Sequence, residues 1–266
     1  MIGLESKAWI LAKANLKRKL RNWQNLFYTI GFPVMFTAIF YFMFGINPIP
    51  QTEFTIYDFA FPGLVIYAIG ALTVSSAIAF ANEKTLGMLE RLDTMPIGRG
   101  NTFLGFIIAE SLFGVVSMAV MFSIGYGAMQ LYFDSIGALL IGICVALLFG
   151  IQSVGTGIIL AAFARSGEAA NGIAMIYYIP VIFASGSMIS FESPIVYVMP
   201  PYWAKQVYLQ LTVMGNSLSD QMYSSSNIFL AKTIGIPLWG GLLISVGLTI
   251  TLLGFGILLF QKKTEF

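Results

Sequence analysis

Long apolar runs alternate with short polar segments along this chain of 266 residues. Such a run crosses a hydrocarbon core about 30 Å thick as a helix when it reaches roughly 18 residues, because a helix satisfies its own backbone hydrogen bonds. The pattern therefore predicts six transmembrane helices. They cover Phe27–Phe44, Phe59–Ala81, Phe103–Phe133, Ile136–Ala164, Gly172–Ile189 and Ile234–Phe260.

The segment before the first span has its own helical pattern, with apolar and cationic residues on separate faces. A helix of this kind is expected to lie in the cytoplasmic interface, with aromatic side chains at the headgroups and cations toward anionic lipid. Either it is a lipid anchor alone, or it also contacts a soluble partner. The apolar face holds Trp9, Ala12, Leu16, Leu20, Trp23 and Phe27, and the cationic face holds Lys13, Lys17 and Arg21.

The segment 190–231, between the fifth and sixth spans, is too broken to cross a membrane. Its first half is apolar, but Pro194, Pro200 and Pro201 divide it into short pieces. We expect short re-entrant or interfacial helices that cap the outer end of the bundle. A plain surface loop is the alternative, although it would expose several apolar side chains to water.

Composition and charge agree with a membrane location. Hydrophobic residues make up 58% of the chain and charged residues 10%, against about 25% charged in soluble domains. Twelve of the fourteen lysines and arginines fall on the side that carries both termini in a six-span topology. The sequence therefore predicts an all-α integral membrane protein, multi-pass in the plasma membrane, with both termini in the cytoplasm.

Several kinds of chemistry are excluded by the residues present. The chain has no histidine and a single cysteine, Cys144, so His-based catalysis and an internal disulfide are ruled out. No lysine follows a glycine, so the GxxxxGK[ST] phosphate loop is absent. Gly155 and Gly157 lack the third glycine of a dinucleotide site. We predict no catalytic, cofactor or metal residues, no nucleic-acid partner and no enzymatic activity on this chain.

Two intramembrane features need separate interpretation. Glu110 is the one acid well inside an apolar run, where a charge at mid-bilayer costs about 2.5 to 3.5 kcal/mol. It could serve an ion-coupled transporter, or it could reach the headgroups or pair with a cation of the preceding loop. Gly240, Gly247 and Gly254 recur every seven residues in the last span, which predicts a smooth packing strip.

The loop 82–100, NEKTLGMLERLDTMPIGRG, concentrates charges between the second and third spans. Leucines occupy one side of a predicted helix that ends before Pro96, and charges of mixed sign occupy the rest. Exposed carboxylates at Glu83 and Glu90 would lack the buried setting that tunes a catalytic acid. The pattern favours a short amphipathic helix that inserts leucines into a soluble protein while its charges fix the register.

This loop resembles a pattern that marks the type-2 class of ABC-exporter permeases: an acidic residue, a turn with glycine, a Leu-Glu-x-Leu core and a Thr-x-Pro-Ile end. FPGL at Phe61–Leu64 is similar to the start of the second span in the daunorubicin-type drug exporters of that class. SGSMIS at Ser185–Ser190 ends the fifth span in a similar way. The resemblance extends over nearly the whole chain.

The resemblance implies a dimer of permease chains, homodimer or heterodimer, each bound to a cytoplasmic ABC-type ATPase subunit that carries the ATP and Mg. Residues 1–26 would be a connecting helix and residues 27–266 a six-span permease domain in contact with membrane lipid. The loop would contain the coupling helix, with Glu83, Lys84, Leu86, Leu89, Glu90, Arg91 and Leu92 against the ATPase. The connecting helix would use Trp9, Lys13, Leu16, Lys17, Leu20, Arg21 and Trp23.

The implied function is export of an amphipathic or hydrophobic compound, such as a drug, a lipid or a glycan-linked lipid, out of the cytoplasm. In this class the substrate path is lined largely by the second and fifth spans, and here it would include Tyr67, Tyr177, Tyr178 and Phe183. Each of these is equally well explained as a packing aromatic. Two other functions stay open: a transporter coupled to an ion gradient through Glu110, and a membrane anchor subunit that moves nothing.

Overall fold

The computed structural model of the chain describes residues 4–44, 55–85, 99–188, 193–223 and 233–264. These ranges are mainly helical and include one small sheet. The α-helices are α1 (Leu4–Leu20), α2 (Trp23–Leu26), α3 (Phe32–Phe44), α4 (Ile56–Gly70), α5 (Leu72–Thr85), α6 (Arg99–Phe122), α7 (Ile136–Phe163), α8 (Gly167–Ala184), α9 (Pro200–Thr212) and α10 (Leu238–Thr264). Shorter elements are π-helical turns at Phe27–Gly31 and Ser123–Ala128, a 3₁₀ helix at Pro194–Val198, and strands β1 (Gln221–Tyr223) and β2 (Thr233–Pro237).

Five helical stretches in the described part of the chain are long and apolar enough to cross a membrane. The predicted first span corresponds to a shorter apolar helix, Thr29–Met43, which continues the helical path that starts at Trp23. The all-α membrane fold expected from the apolar pattern is therefore confirmed. The five stretches are Ile56–Thr85, Phe103–Ala128, Ile136–Phe163, Gly167–Ala184 and Leu238–Leu259.

The second span is longer than predicted and is interrupted. It begins at Ile56, where Thr55 and Asp58 form a reciprocal capping box that satisfies exposed N–H groups of the first turn. The Asp58 carboxylate also accepts a hydrogen bond of 3.0 Å from the backbone N–H of Tyr132. The helix breaks at Ala71, between α4 and α5, and then continues to Thr85, four residues beyond the predicted end.

The outer segment contains the expected short helices and one unexpected element. Proline begins both the 3₁₀ helix and α9, a position where its missing N–H costs nothing. Residues 201–212 of α9 are all buried, and α9 packs against α4, α7 and α10. Strands β1 and β2 pair antiparallel beside it, a small sheet that the apolar pattern does not predict.

Glycines set the closest helix contacts, but not the glycines predicted to do so. A Cβ at Gly157 would lie 1.8 Å from Ser76 Oγ, and one at Gly256 would lie 2.7 Å from the carbonyl oxygen of Gly155. These positions bring α5 and α10 onto α7. The predicted strip is wrong for packing within this chain, because Gly247 and Gly254 are exposed with no atom within 4 Å of such a Cβ.

Candidate functional site

Helix α1 lies along α6 through small residues. Ala8 and Ala12 are buried, and a Cβ at Gly105 of α6 would lie 3.0 Å from the carbonyl oxygen of Ala8 and 3.0 Å from Leu11 Cβ. Small side chains on both helices thus allow the backbones to approach. The N-terminal helix is part of the bundle and is not held by lipid alone.

The faces of α1 differ from the predicted ones. Trp9, Leu20 and Trp23, expected on one apolar face with Ala12 and Leu16, are exposed, whereas Ala12 is buried and Leu16 packs on the core. The cationic face is exposed as the spacing indicates, at Lys13, Lys17 and Arg21. The helix therefore rests on the bundle through a narrow face that continues from Ala12 to Lys19.

Arg18 of α1 and Glu83 of α5 form an ion pair. The Glu83 side chain is 1% exposed and that of Arg18 is 52% exposed. The expectation that Glu83 is solvent-exposed is wrong, because α5 continues beyond Ala81 and the carboxylate is buried in an ion pair with Arg18 of α1. Lys84, beside it in sequence, is partly exposed.

Lys19 and Glu110 form a second, fully enclosed ion pair. The Lys19 Nζ atom also donates a hydrogen bond of 2.6 Å to Ser75 Oγ, and Ser75 Oγ donates one of 3.3 Å to Glu110 Oε2. The same ammonium lies 5.5 Å from the ring centroid of Phe113. Charges on α1 and α6 and a hydroxyl on α5 thus meet at one point, which we call the three-helix charge cluster (Lys19, Ser75, Glu110).

The partner of Glu110 is a correction to the sequence interpretation. The acid pairs with a cation, as one alternative held, and among the described residues that cation is Lys19 of the N-terminal helix. Glu110 is 0% exposed, so its carboxylate is not free in the headgroup layer. Two buried charges are tolerated here because they pair and share a hydroxyl group.

A cavity of about 510 Å³ opens beside these ion pairs, between α1, the first π-helical turn, α3, α4, α5 and α8. Tyr67 and Tyr178 stack along its wall with ring centroids 5.8 Å apart and planes 19° apart. The Tyr178 hydroxyl donates a hydrogen bond to the Tyr67 carbonyl oxygen. The lining residues are Arg18, Lys19, Asn22, Thr29, Phe32, Tyr67, Ala71, Val74, Ser75, Ile78, Ala79, Asn82, Asn171, Met175, Tyr178 and Ile179.

The structure brings together only part of the predicted substrate path. Tyr67 and Tyr178 line the 510 Å³ cavity, whereas Tyr177 lines only a second cavity of about 20 Å³, which shares Tyr178 as part of its wall. Phe183 is 46% exposed on α8 and lines neither of these two cavities. Tyr177 and Phe183 therefore do not belong to the site that the other two tyrosines form.

The predicted coupling residues Leu86, Leu89, Glu90, Arg91 and Leu92 lie outside the described residues. The two flanking helices are described: α5 ends at Thr85, and α6 begins at Arg99. Both helices belong to the ion-paired region. The loop is thus attached directly to the two spans that contact α1.

Sequence reasoning missed Arg18, Lys19 and Ser75. The available signal was helical spacing: Lys19 follows Leu16 by three residues and Ala12 by seven, which places it on the buried face of α1. A lysine on a buried face and an acid in a neighbouring span are natural partners. The three asparagines of the cavity, Asn22, Asn82 and Asn171, carry no motif that could have identified them.

The two other motifs meet at the opposite end of the bundle. A Cβ at Gly63 of FPGL would lie 1.6 Å from the carbonyl oxygen of Ser187 in SGSMIS. Lys205 Nζ of α9 donates a hydrogen bond of 2.8 Å to the carbonyl oxygen of Gly186, and burial lowers the pKa of Lys205 to about 8. These segments fix the second span, the end of the fifth span and α9 to one another.

Comparison with known families identifies the family of the chain. The sequence model of the ABC-2 type transporter family matches residues 6–209, from α1 to the last turn of α9. The chain therefore belongs to the ABC-2 type transporter family and is a multi-pass membrane permease subunit. A comparison with curated proteins finds no match.

Proposed function

We propose that this chain is the permease of an ATP-driven exporter whose ATP is hydrolysed by a separate ABC-type ATPase subunit. Family membership and the missing phosphate loop support this division of labour. Two copies, identical or paired with a related chain, would enclose the path for an amphipathic or hydrophobic compound. The ATPase would bind ATP and Mg on the cytoplasmic side, where both termini of this chain also lie.

The observation that carries the proposal is the pair of ionic contacts between α1 and the spans α5 and α6. Separating the buried Lys19–Glu110 pair would leave an uncompensated charge, at a cost of about 3 to 5 kcal/mol. That is several times the thermal energy, so α1 moves together with the spans to which it is paired. A force applied to the cytoplasmic elements is therefore transmitted into the membrane helices.

The loop 82–100 would receive that force. It joins α5 to α6 directly, and α1 pairs with both helices. A soluble ATPase that holds the leucine face of the loop would therefore act on three helices at once. Rigid-body movement of that unit is a recognised way to alternate access in transporters.

The test is purification of the tagged chain from its native membranes. We expect an ATPase subunit with a phosphate loop in equal amount, and ATP hydrolysis by the complex. Leu89→Asp should remove the ATPase while leaving the chain in the membrane, whereas Ala14→Asp, which adds the same single negative charge at an exposed position of α1, serves as a matched control. Recovery of the chain without any ATPase would contradict the proposal.

Two other functions make different predictions. A carrier driven by an ion gradient through Glu110 is disfavoured because that carboxylate is held by Lys19 and Ser75; it would require Glu110→Gln to abolish gradient-driven flux. A pure anchor subunit would assemble with its partner but move no compound in proteoliposomes.

A further inference from the structure

We propose that the 510 Å³ cavity binds an amphiphile with an anionic head and an apolar tail. The inference names the substrate class of the permease and so rests on the proposed function. The volume lies within the range of about 300 to 1,000 Å³ that is usual for small-molecule sites. Its chemistry, however, differs between the two ends.

The polar end of the cavity is rich in hydrogen-bond donors. Among the described residues, the charged lining residues of the whole cavity are two cations, Arg18 and Lys19, of which Lys19 is bound at Ser75. Three asparagines add neutral carboxamides to the lining. Glu83 and Glu110, which pair with these cations, do not line the cavity. Arg18 is half exposed and its guanidinium has five N–H groups, so pairing with one carboxylate leaves donors for a ligand.

The polar and apolar ends are ordered the same way on two neighbouring helices. Along α5 the lining runs from Ala71 and Val74, past Ser75 and Ile78, to Asn82, about 16 Å at 1.5 Å per residue. Lys19 Nζ binds Ser75 Oγ near the middle of this run, and Asn82 lies at its polar end. Along α8, which contacts α5, it runs from Ile179 back to Asn171, about 12 Å. Both asparagines lie toward the ends of the helices that the charge pattern places in the cytoplasm.

The apolar end is formed by aromatic and aliphatic side chains that offer a tail surface rather than hydrogen bonds. The Tyr178 hydroxyl group donates its hydrogen bond to the Tyr67 carbonyl oxygen, so Tyr178 presents its ring to the cavity. Phe32, Met175 and Ile179 complete this wall. An alkyl chain or a flat apolar group fits here because it loses no hydrogen bonds to water on entry.

The sign of the head follows from the local charge. The cavity wall carries cations and no carboxylate among its described residues, and the positive end of the α8 dipole lies near Asn171. Glu168, in the first turn of α8, is exposed and is not part of the wall. A phosphate or carboxylate head is therefore favoured over an ammonium head.

The site also couples the ligand to α1. A head bound at Arg18 shares that guanidinium with Glu83, so occupancy of the cavity alters the contact between α1 and α5. The connecting helix would thus respond to the ligand as well as to the ATPase.

The test measures binding to the purified chain in nanodiscs of phosphatidylcholine, without any ATPase. We expect dodecyl phosphate to bind at least about tenfold more tightly than dodecanol or dodecylammonium, since charge-assisted hydrogen bonds to the head account for such a factor. The same margin is expected over inorganic phosphate, because burial of the alkyl chain adds apolar contact. Equal binding of dodecanol or dodecylammonium overturns the anionic head. Equal binding of inorganic phosphate overturns the apolar tail.

A matched pair of variants locates the site. Asn171→Asp adds a negative charge to the wall and should weaken dodecyl phosphate binding about tenfold. Ala169→Asp adds the same charge on the same helix, about 200° away and outside the lining, and should leave binding unchanged. Equal effects of the two variants would overturn the assignment to this cavity, even if binding itself is selective.

A second nanodisc distinguishes the two possible sources of the amphiphile. Competition by phosphatidylglycerol in the disc identifies a resident anionic lipid, and its failure to compete identifies a dispersed amphiphile; both support the proposed chemistry. Because no ATPase is present, loss of the head preference refutes this inference alone. Absence of an ATPase from the native complex refutes the proposed function alone.

Discussion

Lys19 and Glu110 show how single residues decide what the N-terminal helix does. Neither charge could stay in the apolar bundle alone, since removal of one partner leaves a buried ion without compensation. Together with Ser75 they form the three-helix charge cluster. The pairing converts a helix that looks like a lipid anchor into one that is fixed to the spans.

Lys19→Met should destabilise the chain by about 3 to 5 kcal/mol because Glu110 then remains charged and unpaired. The double variant Lys19→Met with Glu110→Met should recover most of that loss, since both charges disappear. Thermal unfolding in detergent measures the difference. Lys13→Met, exposed on the same helix, should stay within about 0.5 kcal/mol; equal loss in all three variants would contradict the cluster.

Gly63 tests the contact between the two motifs. A methyl group there would lie 1.6 Å from a backbone carbonyl oxygen of Ser187, which cannot rotate away as a side chain does. Gly63→Ala should therefore lower the thermal midpoint clearly, by the equivalent of about 1 to 3 kcal/mol of overpacking. Gly137→Ala, where no atom lies within 4 Å, should not; a neutral Gly63→Ala would show that the helices are not in contact.

At the scale of elements, the ion pair between Arg18 and Glu83 connects the N-terminal helix α1 to the membrane-spanning helix α5. Arg18 and Glu83 lie 65 residues apart in sequence, and their ion pair joins the end of α1 to the last turn of α5. Since Arg18 is half exposed, its charge is partly screened and the pair contributes less stability than the buried one. The role of this ion pair is therefore better tested by exchanging its two charges than by measuring the free energy of unfolding.

Arg18→Glu should reduce ATP-driven transport because it places two carboxylates together at the α1–α5 contact. The reversed pair, Arg18→Glu with Glu83→Arg, should restore transport at least in part. Transport per ATP hydrolysed is the quantity to compare. Lys262→Glu, which makes the same charge change at an exposed position near the end of α10, is the control, and failure of the reversed pair to improve on the single variant would contradict direct pairing.

The apolar pattern predicts well the helices whose sequence is constrained by lipid. It predicts poorly the elements whose position depends on other parts of the protein. The spans follow from hydropathy because lipid demands continuous apolar helices. The break at Ala71, the small sheet and the burial of α9 depend on contacts with distant segments, which no local pattern encodes. The same limit applies to the site. Tyr67 and Tyr178 could be named from the spans in which they lie, but only the packing of α8 shows that Tyr177 and Phe183 do not line the same cavity.

At the scale of the whole molecule, the charged contacts, the loop and the cavity are on one side of the bundle. The motifs Phe61–Leu64 and Ser185–Ser190 secure the other side through Gly63 and Lys205. The charged contacts of α1 and the contact between the two motifs therefore lie at opposite ends of the bundle, in a chain that belongs to the ABC-2 type transporter family.

The central claim is that this chain moves a compound only when a separate ATPase hydrolyses ATP. The most direct measurement reconstitutes the chain and its co-purified ATPase in proteoliposomes and follows anionic, neutral and cationic fluorescent amphiphiles with ATP outside. We predict ATP-dependent uptake of at least one amphiphile, abolished when the phosphate-loop lysine of the ATPase is replaced. Uptake that needs no ATP, or hydrolysis that moves none of the amphiphiles, would contradict the account.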